Sequence, residues 1–250
     1  LSIMWGYLVR QTLVLSTALA AATILVGPPV VASDHAAAGS PTPAAAGSPT
    51  PAAAGSGAVA SETARVVARR DVDGDGDRDR IGYRALDRNT VRVSARISSR
   101  KVVRKRLRTT SWPRGDFYGA TRFDGRRGVE LVVGTTYGAH TPWFTVLTYR
   151  RGRLVVQKCP FYRTREWAVD AYANGYLGWY RRTHHGRVHM RLKYVSRVGG
   201  SARFTGRTIR YTWRHGGWHK HGARKISYPN AAQASRIGGW HVNGLPRWPR

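Results

Sequence analysis

From Arg65 onward the sequence alternates apolar and polar residues with a period of two, and the polar member is most often arginine. In VRVSARIS, Val91, Val93, Ala95 and Ile97 fall on one face of an extended chain, and Arg92, Ser94 and Arg96 on the other. RVHMRLKYV repeats the arrangement, with Val188, Met190, Leu192 and Tyr194 on the inward side. A strand sends successive side chains to opposite faces, so this pattern demands sheets with one apolar and one cationic face. Nine Trp, 12 Tyr and abundant Val strengthen the preference for strands. Two hairpin signals share a Thr, an aromatic residue, an Arg and a turn glycine: TYRRGRL at 148–154 and TWRHGGW at 212–218. One short helix is predicted over PNAAQASRIGG, with Asn230 as N-cap and Gly238 as terminator. The predicted fold is mainly β, built of antiparallel meanders, with that single short C-terminal helix.

The alternating region follows two segments of different character. Residues 1–32 run from Arg10 through an apolar stretch at Thr12–Val26 to Gly27, Pro28 and Pro29, then to small residues with a cleavage site after Ala32. That order is the one of a secretory signal peptide. An uncleaved anchor is the rival reading, because Thr12–Val31 nearly suffices to span a bilayer. Residues 33–62 contain a tandem AAAGSPTP repeat with no bulky apolar group to bury, and are expected to form a disordered linker. Residues 63–250 are then a single β domain. Of the 42 Lys+Arg and 13 Asp+Glu, only Arg10, Asp34 and Glu62 precede that domain, which therefore carries nearly all of the net charge of +29. Such a surface attracts polyanions by its long-range field. Wall polymers, anionic lipid surfaces and nucleic acid all qualify, and charge does not choose among them. The one cysteine, Cys159, excludes an internal disulfide, a four-cysteine zinc site and a CxxC redox pair.

Five of the few acidic residues sit together in DVDGDGDRDR: Asp71, Asp73, Asp75, Asp77 and Asp79. Like charges this close repel one another, and a cation at their centre removes the repulsion. Counting Asp71 as position one, carboxylates fall on alternate positions and Gly76 on position six. A tightly curled loop of this kind sends oxygen ligands toward one hard cation. One Ca2+ site is predicted, held by Asp71, Asp73, Asp75, Asp77 through its backbone carbonyl, and Asp79. An EF-hand is disfavoured, because Gly82 replaces the glutamate at position twelve and an alternating run follows instead of a helix.

The pattern DxDGDGxxD leading directly into a strand resembles the FG-GAP/VCBS repeats of integrin-like β-propellers. The chain is similar to small secreted, arginine-rich actinobacterial VCBS-repeat proteins of unassigned function. Units of this type fall near 71–108 and 122–158. In the second, Asp124-Gly125 echoes the loop and Glu130 to Val133 echoes its exit into a strand, 51 positions after Asp79. Arg126 and Arg127 replace the other carboxylates there, so this unit is not expected to bind calcium. A fainter third unit centres on NGYLGWYRR at 174–182. Closed propellers need about four or more blades, so the resemblance implies a partial propeller-like or a sandwich arrangement.

Other candidates carry less. Glu130, Glu166 and Asp170 are the acids available to a hydrolase, but their spacing singles out no pair. His219 and His221 are able to share a strand face and a metal, though no third ligand is near in sequence; His184, His185 and His215 fit turns. Cys159 would need a histidine brought close in space to act as a nucleophile. Trp143, Trp179, Tyr180, Trp213 and Trp218 lie near Arg181, Arg182, Arg210 and Arg214, a mixture able to hold single-stranded nucleic acid or sugars, or to form a core. The expected protein is a secreted, monomeric, calcium-binding and non-catalytic β-repeat chain of the extracellular space or cell envelope that adheres to anionic polymers without a small-molecule cofactor. An exported polysaccharide hydrolase and an extracellular nucleic-acid binder are the alternatives.

Overall fold

The computed structural model describes residues 64–98, 100–110, 116–138, 141–162, 164–172 and 174–247. The predicted signal peptide at 1–32 and linker at 33–62 lie outside the described residues.

Three antiparallel meanders follow one another. The first runs β1 (Arg65–Arg70), β2 (Asp79–Ala85), β3 (Thr90–Arg96) and β4 (Val102–Arg108), in that spatial order. The second runs β5 (Asp116–Thr121), β6 (Glu130–Tyr137), β7 (Pro142–Arg150) and β8 (Arg153–Gln157), and the short β9 (Trp167–Ala168) also pairs with β7. The third runs β10 (Asp170–Tyr172), β11 (Gly175–His184), β12 (Arg187–Arg197), β13 (Phe204–Arg214) and β14 (Gly217–Tyr228). A helix, α1 (Ala231–Ser235), then leads to β15 (Gly239–His241), which pairs parallel to β11. Among the described residues the fold is therefore mainly β, as the period-two pattern predicts, with one short helix and a sandwich-like arrangement.

The hairpins form where the sequence signals them. Arg151-Gly152 and His215-Gly216 both have positive φ at the two central residues, and His185-Gly186 adds a third turn of the same kind. Two consecutive positive φ values define the type I′ turn, whose twist matches that of the flanking strands. Asn230 caps α1 through its side chain, which accepts from the Gln233 N–H at 3.0 Å. The helix ends at Ser235, with Arg236 as C-cap, before the predicted terminator Gly238.

The second sheet is buried on both faces. Leu131 and Val133 of β6 pack with Val91, Val93, Ala95 and Ile81 of the first meander. Val132 of β6, with Phe144 and Val146, packs instead with Trp179, Met190 and Leu192 of the third. β1 lies beside β5 and β4 beside β8, so equivalent strands of the first two meanders stack on one another. Trp167, Trp179 and Trp240 fill the second core almost without exposure, and each contributes on the order of 2–3 kcal/mol by burial. Phe123 meets Trp167 edge to face at 4.9 Å, which fixes the loop entering β6 to that core. Among the described residues no helix is long and apolar enough to cross a membrane.

Candidate metal centre

The aspartate loop joins β1 to β2, and its last member, Asp79, is the first residue of β2. Asp71, Asp73 and Asp79 each offer a carboxylate oxygen, and the three oxygens lie within 4.8 Å of one another. Ligands on opposite sides of a calcium ion stand about 4.8 Å apart, twice a bond length of about 2.4 Å. The three groups therefore fit within one coordination shell. Two loop glycines make the curl possible: Gly74 has φ +89° and Gly76 φ +106°. Their N–H groups both donate to the Asp71 carboxylate, at 2.6 and 3.2 Å.

The structure does not bring all five aspartates together. Asp75 lies beside Asp73 but outside that close trio, and has further partners of its own. Its Oδ1 accepts from the Asp77 N–H at 2.9 Å, and its Oδ2 accepts from the Ser98 hydroxyl. That hydroxyl holds the Asp75 carboxyl below its ordinary range. The Asp77 side chain is exposed. Asp79, by contrast, is only 2% exposed. Its Oδ2 accepts from the Val72 N–H at 2.7 Å, while its Oδ1 has no hydrogen-bond partner among the described residues. Burial pushes both Asp73 and Asp79 above the usual carboxylate range. A buried carboxylate oxygen without a partner is costly, and a cation shared with Asp71 and Asp73 is the group that would satisfy it.

The loop between β5 and β6 repeats this architecture 51 residues later, with a different solution. The Phe123 N–H donates to Glu130 Oε2 at 2.7 Å, matching the Val72 N–H and Asp79. The Arg126 N–H donates to Asp124 Oδ1, matching the Asp75 N–H and Asp73. Here the cation is a side chain. The Arg150 guanidinium pairs with Asp124 Oδ2 and lies 3.7 Å from Glu130 Oε1. Thr148 donates to Glu130 Oε1 at 2.8 Å, and Gln157 Nε2 to Asp124 Oδ2 at 2.8 Å. Strand register identifies the counterparts in the first unit. Ile81 faces Ala95 as Val132 faces Val146, which places Ile97 at the position of Thr148. Ala95 faces Val103 as Val146 faces Gln157. The same offset sets Ser99 against Arg150, and Ser99 lies outside the described residues. Ile97 and Val103 have no polar group to offer, so among the described residues nothing takes the place of Thr148 and Gln157 beside Asp79 Oδ1.

The two loops also touch. The Val129 N–H donates to the Asp71 carbonyl at 2.8 Å, and a Cβ on Gly74 would stand 2.7 Å from the Cβ of Arg127. Gly74→Ala therefore meets both a steric contact and a backbone conformation that L-residues avoid. It is expected to destabilise the fold by about 1–3 kcal/mol, read as a lower denaturation midpoint with calcium present or absent. An unchanged midpoint would contradict this loop geometry. The suggested third unit is strand β11, which opens on Gly175 and carries no carboxylate.

The remaining candidates have structural partners. Glu130 is buried and bonded as described. Glu166 Oε1 accepts from the Thr135 and Thr136 hydroxyls at 2.6 and 3.1 Å. Asp170 adopts φ +76° within β10. Cys159 is buried, and burial pushes its thiol up to about 12, far from a reactive thiolate. His215 and His219 face each other at 6.2 Å and His184 and His185 at 3.9 Å, yet the only convergence of three metal-ligating groups among the described residues is the Asp71, Asp73 and Asp79 cluster. Trp179 belongs to the core, Trp143 packs on Tyr162, and Trp213 packs on Trp218. Sequence reasoning missed Arg150, Thr148 and Gln157, whose roles depend on the pairing of β6, β7 and β8. No protein-family model, curated protein or solved structure matches the chain.

Proposed function

We propose that this chain is a secreted, calcium-binding, non-catalytic β-repeat protein whose cationic surface adheres to anionic polymers of the cell envelope. The calcium reading rests on one observation above all: the buried Asp79 has an oxygen without a partner among the described residues, beside Asp71 and Asp73, whereas the twin loop satisfies its carboxylates with Arg150, Thr148 and Gln157. Asp71, Asp73 and Asp79 would hold the ion. Its chemistry there is charge neutralisation, which fixes the β1–β2 connection against the second meander. The 51-residue correspondence of the two loops supports the likeness to FG-GAP/VCBS repeats. The secretory part of the reading rests on the order of residues within 1–32.

Adhesion is supported by how the charge is laid out. Arg92 stands opposite Arg106 across β3 and β4, and Arg80 stands opposite Arg96 across β2 and β3. Like charges directly opposite one another weaken a sheet unless a counter-ion bridges them, so an anionic partner stabilises this surface as it binds. Calorimetric titration of the full chain is expected to give one Ca2+ per chain, abolished by Asp73→Ala. Retention on an anionic polymer should fall linearly with the logarithm of salt concentration. Absence of calcium heat removes the first half of the proposal, and salt-independent or absent retention the second.

A further inference from the structure

The outer face of the third meander divides into three zones along its strands. α1 covers the apolar end, through Ala234 and Ile237 against Val195 and Phe204. Arg182, Arg191, Lys193, Arg210 and Arg224 follow on β11 to β14, and the hairpin tips beyond them carry His184, His189 and His221. No acidic residue occurs from residue 171 to residue 250, so strands β11 to β14 carry no carboxylate, and the acid of this sheet, Asp170, lies on β10. Arg191 stands directly opposite Arg210. Burial and the neighbouring guanidinium groups push Arg191 and Lys193 below their ordinary ranges.

The face is hollowed as well as charged. One cavity of about 420 Å³ is lined by Arg182, Arg191, Arg210, His184 and His221. A second of about 340 Å³ lies between Arg191, Arg210, Thr208 and Arg224. The two share the Arg191–Arg210 pair. A third, of about 600 Å³, shares His184, His189 and His221 with the first and continues to His215 and His219. Cavities joined end to end in this way form a trough, which suits an extended ligand with repeated negative groups better than a single small anion.

The aromatic groups of the trough are already engaged. His241 stacks on the Tyr180 ring at 3.9 Å and 6°, and the Lys193 ammonium lies over the same ring at 4.4 Å. Trp213 packs edge to face on Trp218 at 5.0 Å, and a Cβ on Gly125 would stand 2.8 Å from its Cδ1. Sequence-tolerant binding of single-stranded nucleic acid relies on free ring faces for its bases, and none of Tyr180, Trp213 and Trp218 is fully exposed. We infer that the trough binds an extended phosphodiester chain without bases, a polyol-phosphate polymer, across the Arg191–Arg210 pair. This deepens the adhesion reading above and rests on it.

The test compares full-chain variants of equal charge, with poly(glycerol phosphate) as the probe. Arg191→Gln with Arg210→Gln removes two charges from the trough. Arg88→Gln with Arg153→Gln removes two exposed charges that lie outside the trough, on the first and second meanders. The trough variant is expected to lose about tenfold or more in affinity, since each charge-assisted bond to phosphate is worth about that factor. The control should stay within about twofold, the size of a general field effect at moderate salt. The trough variant also loses a like-charge contact, so its melting temperature should not fall; if it does, Arg182→Gln with Arg224→Gln supplies the same comparison. Equal losses in trough and control variants overturn this location while leaving general adhesion intact. Absence of binding by the unmodified chain overturns both readings. Tighter binding of duplex DNA than of poly(glycerol phosphate) at matched charge overturns the assigned polymer class.

Discussion

Calcium added to the chelator-treated full chain is expected to raise its melting temperature by about 5–10 °C at a hundredfold excess over Kd, the equivalent of about 2.7 kcal/mol of linkage. Asp73→Ala and Asp79→Asn should each abolish the shift, because both carboxylates belong to the convergent cluster. Asp75→Ala should keep most of it, because that carboxylate is engaged by the Asp77 N–H and the Ser98 hydroxyl. The dependence on pH has a defined sign. Burial raises Asp73 and Asp79, so the calcium-free native state holds their protons more tightly than the unfolded chain does. These groups favour the fold below the ordinary carboxylate range, and that contribution is lost as pH rises through the raised values. At neutral pH they oppose the calcium-free fold, and calcium removes the opposition. The shift should therefore be largest near neutrality and vanish as pH falls through the carboxylate range. Identical melting curves with calcium and with chelator at neutral pH would falsify the metal reading.

Arg150→Ala is the second large effect, with an expected loss of about 3 kcal/mol at neutral pH, or a fall of about 6–12 °C in melting temperature. The change leaves Asp124 and Glu130 buried together without their cation, their side chains 0% and 2% exposed. Burial and the Asp124 charge already push Glu130 above the usual carboxylate range, while Arg150 and the bonds from Phe123 and Thr148 pull it back. Without Arg150 the upward push prevails. A raised native value means the protonated form stabilises the fold, so the variant's deficit should shrink as pH is lowered. Glu130→Gln added to Arg150→Ala should recover part of the loss at neutral pH, since the amide needs no counter-ion. Arg153→Ala, at an exposed position on the neighbouring strand, should change stability by less than about 0.5 kcal/mol. A deficit that is the same at every pH would show that Arg150 acts through packing alone.

The two loops also show how far residue patterns reach. The 51-residue spacing of Asp79 and Glu130, and the echo of Asp73-Gly74 in Asp124-Gly125, are visible in the linear chain and correspond to matched backbone-to-carboxylate bonds. The inward positions Val91, Val93, Ala95, Val188, Met190 and Leu192 are all buried, as their alternation requires. The ladder of five aspartates does not reveal one contact: Ser98, 23 residues beyond Asp75, donates to that carboxylate. Nor does alternation reveal that β6 is buried on both faces, because Glu130, Thr135 and the glycine between them interrupt an otherwise apolar run.

What the sequence determined by itself is therefore local: which residues form strands, which face each side chain takes, where the type I′ hairpins turn, and that an acidic loop recurs in altered form. These follow from the period of the extended chain and from turn residues whose backbone preferences are their own. Tertiary structure alone decided which carboxylates converge, that Arg150 supplies the second loop with its cation from 26 residues away, and that cavities on the third sheet join around Arg191 and Arg210. Each of those outcomes depends on side chains delivered by strands distant in the chain, and their meeting is fixed by strand register and sheet stacking rather than by any pattern among neighbouring residues.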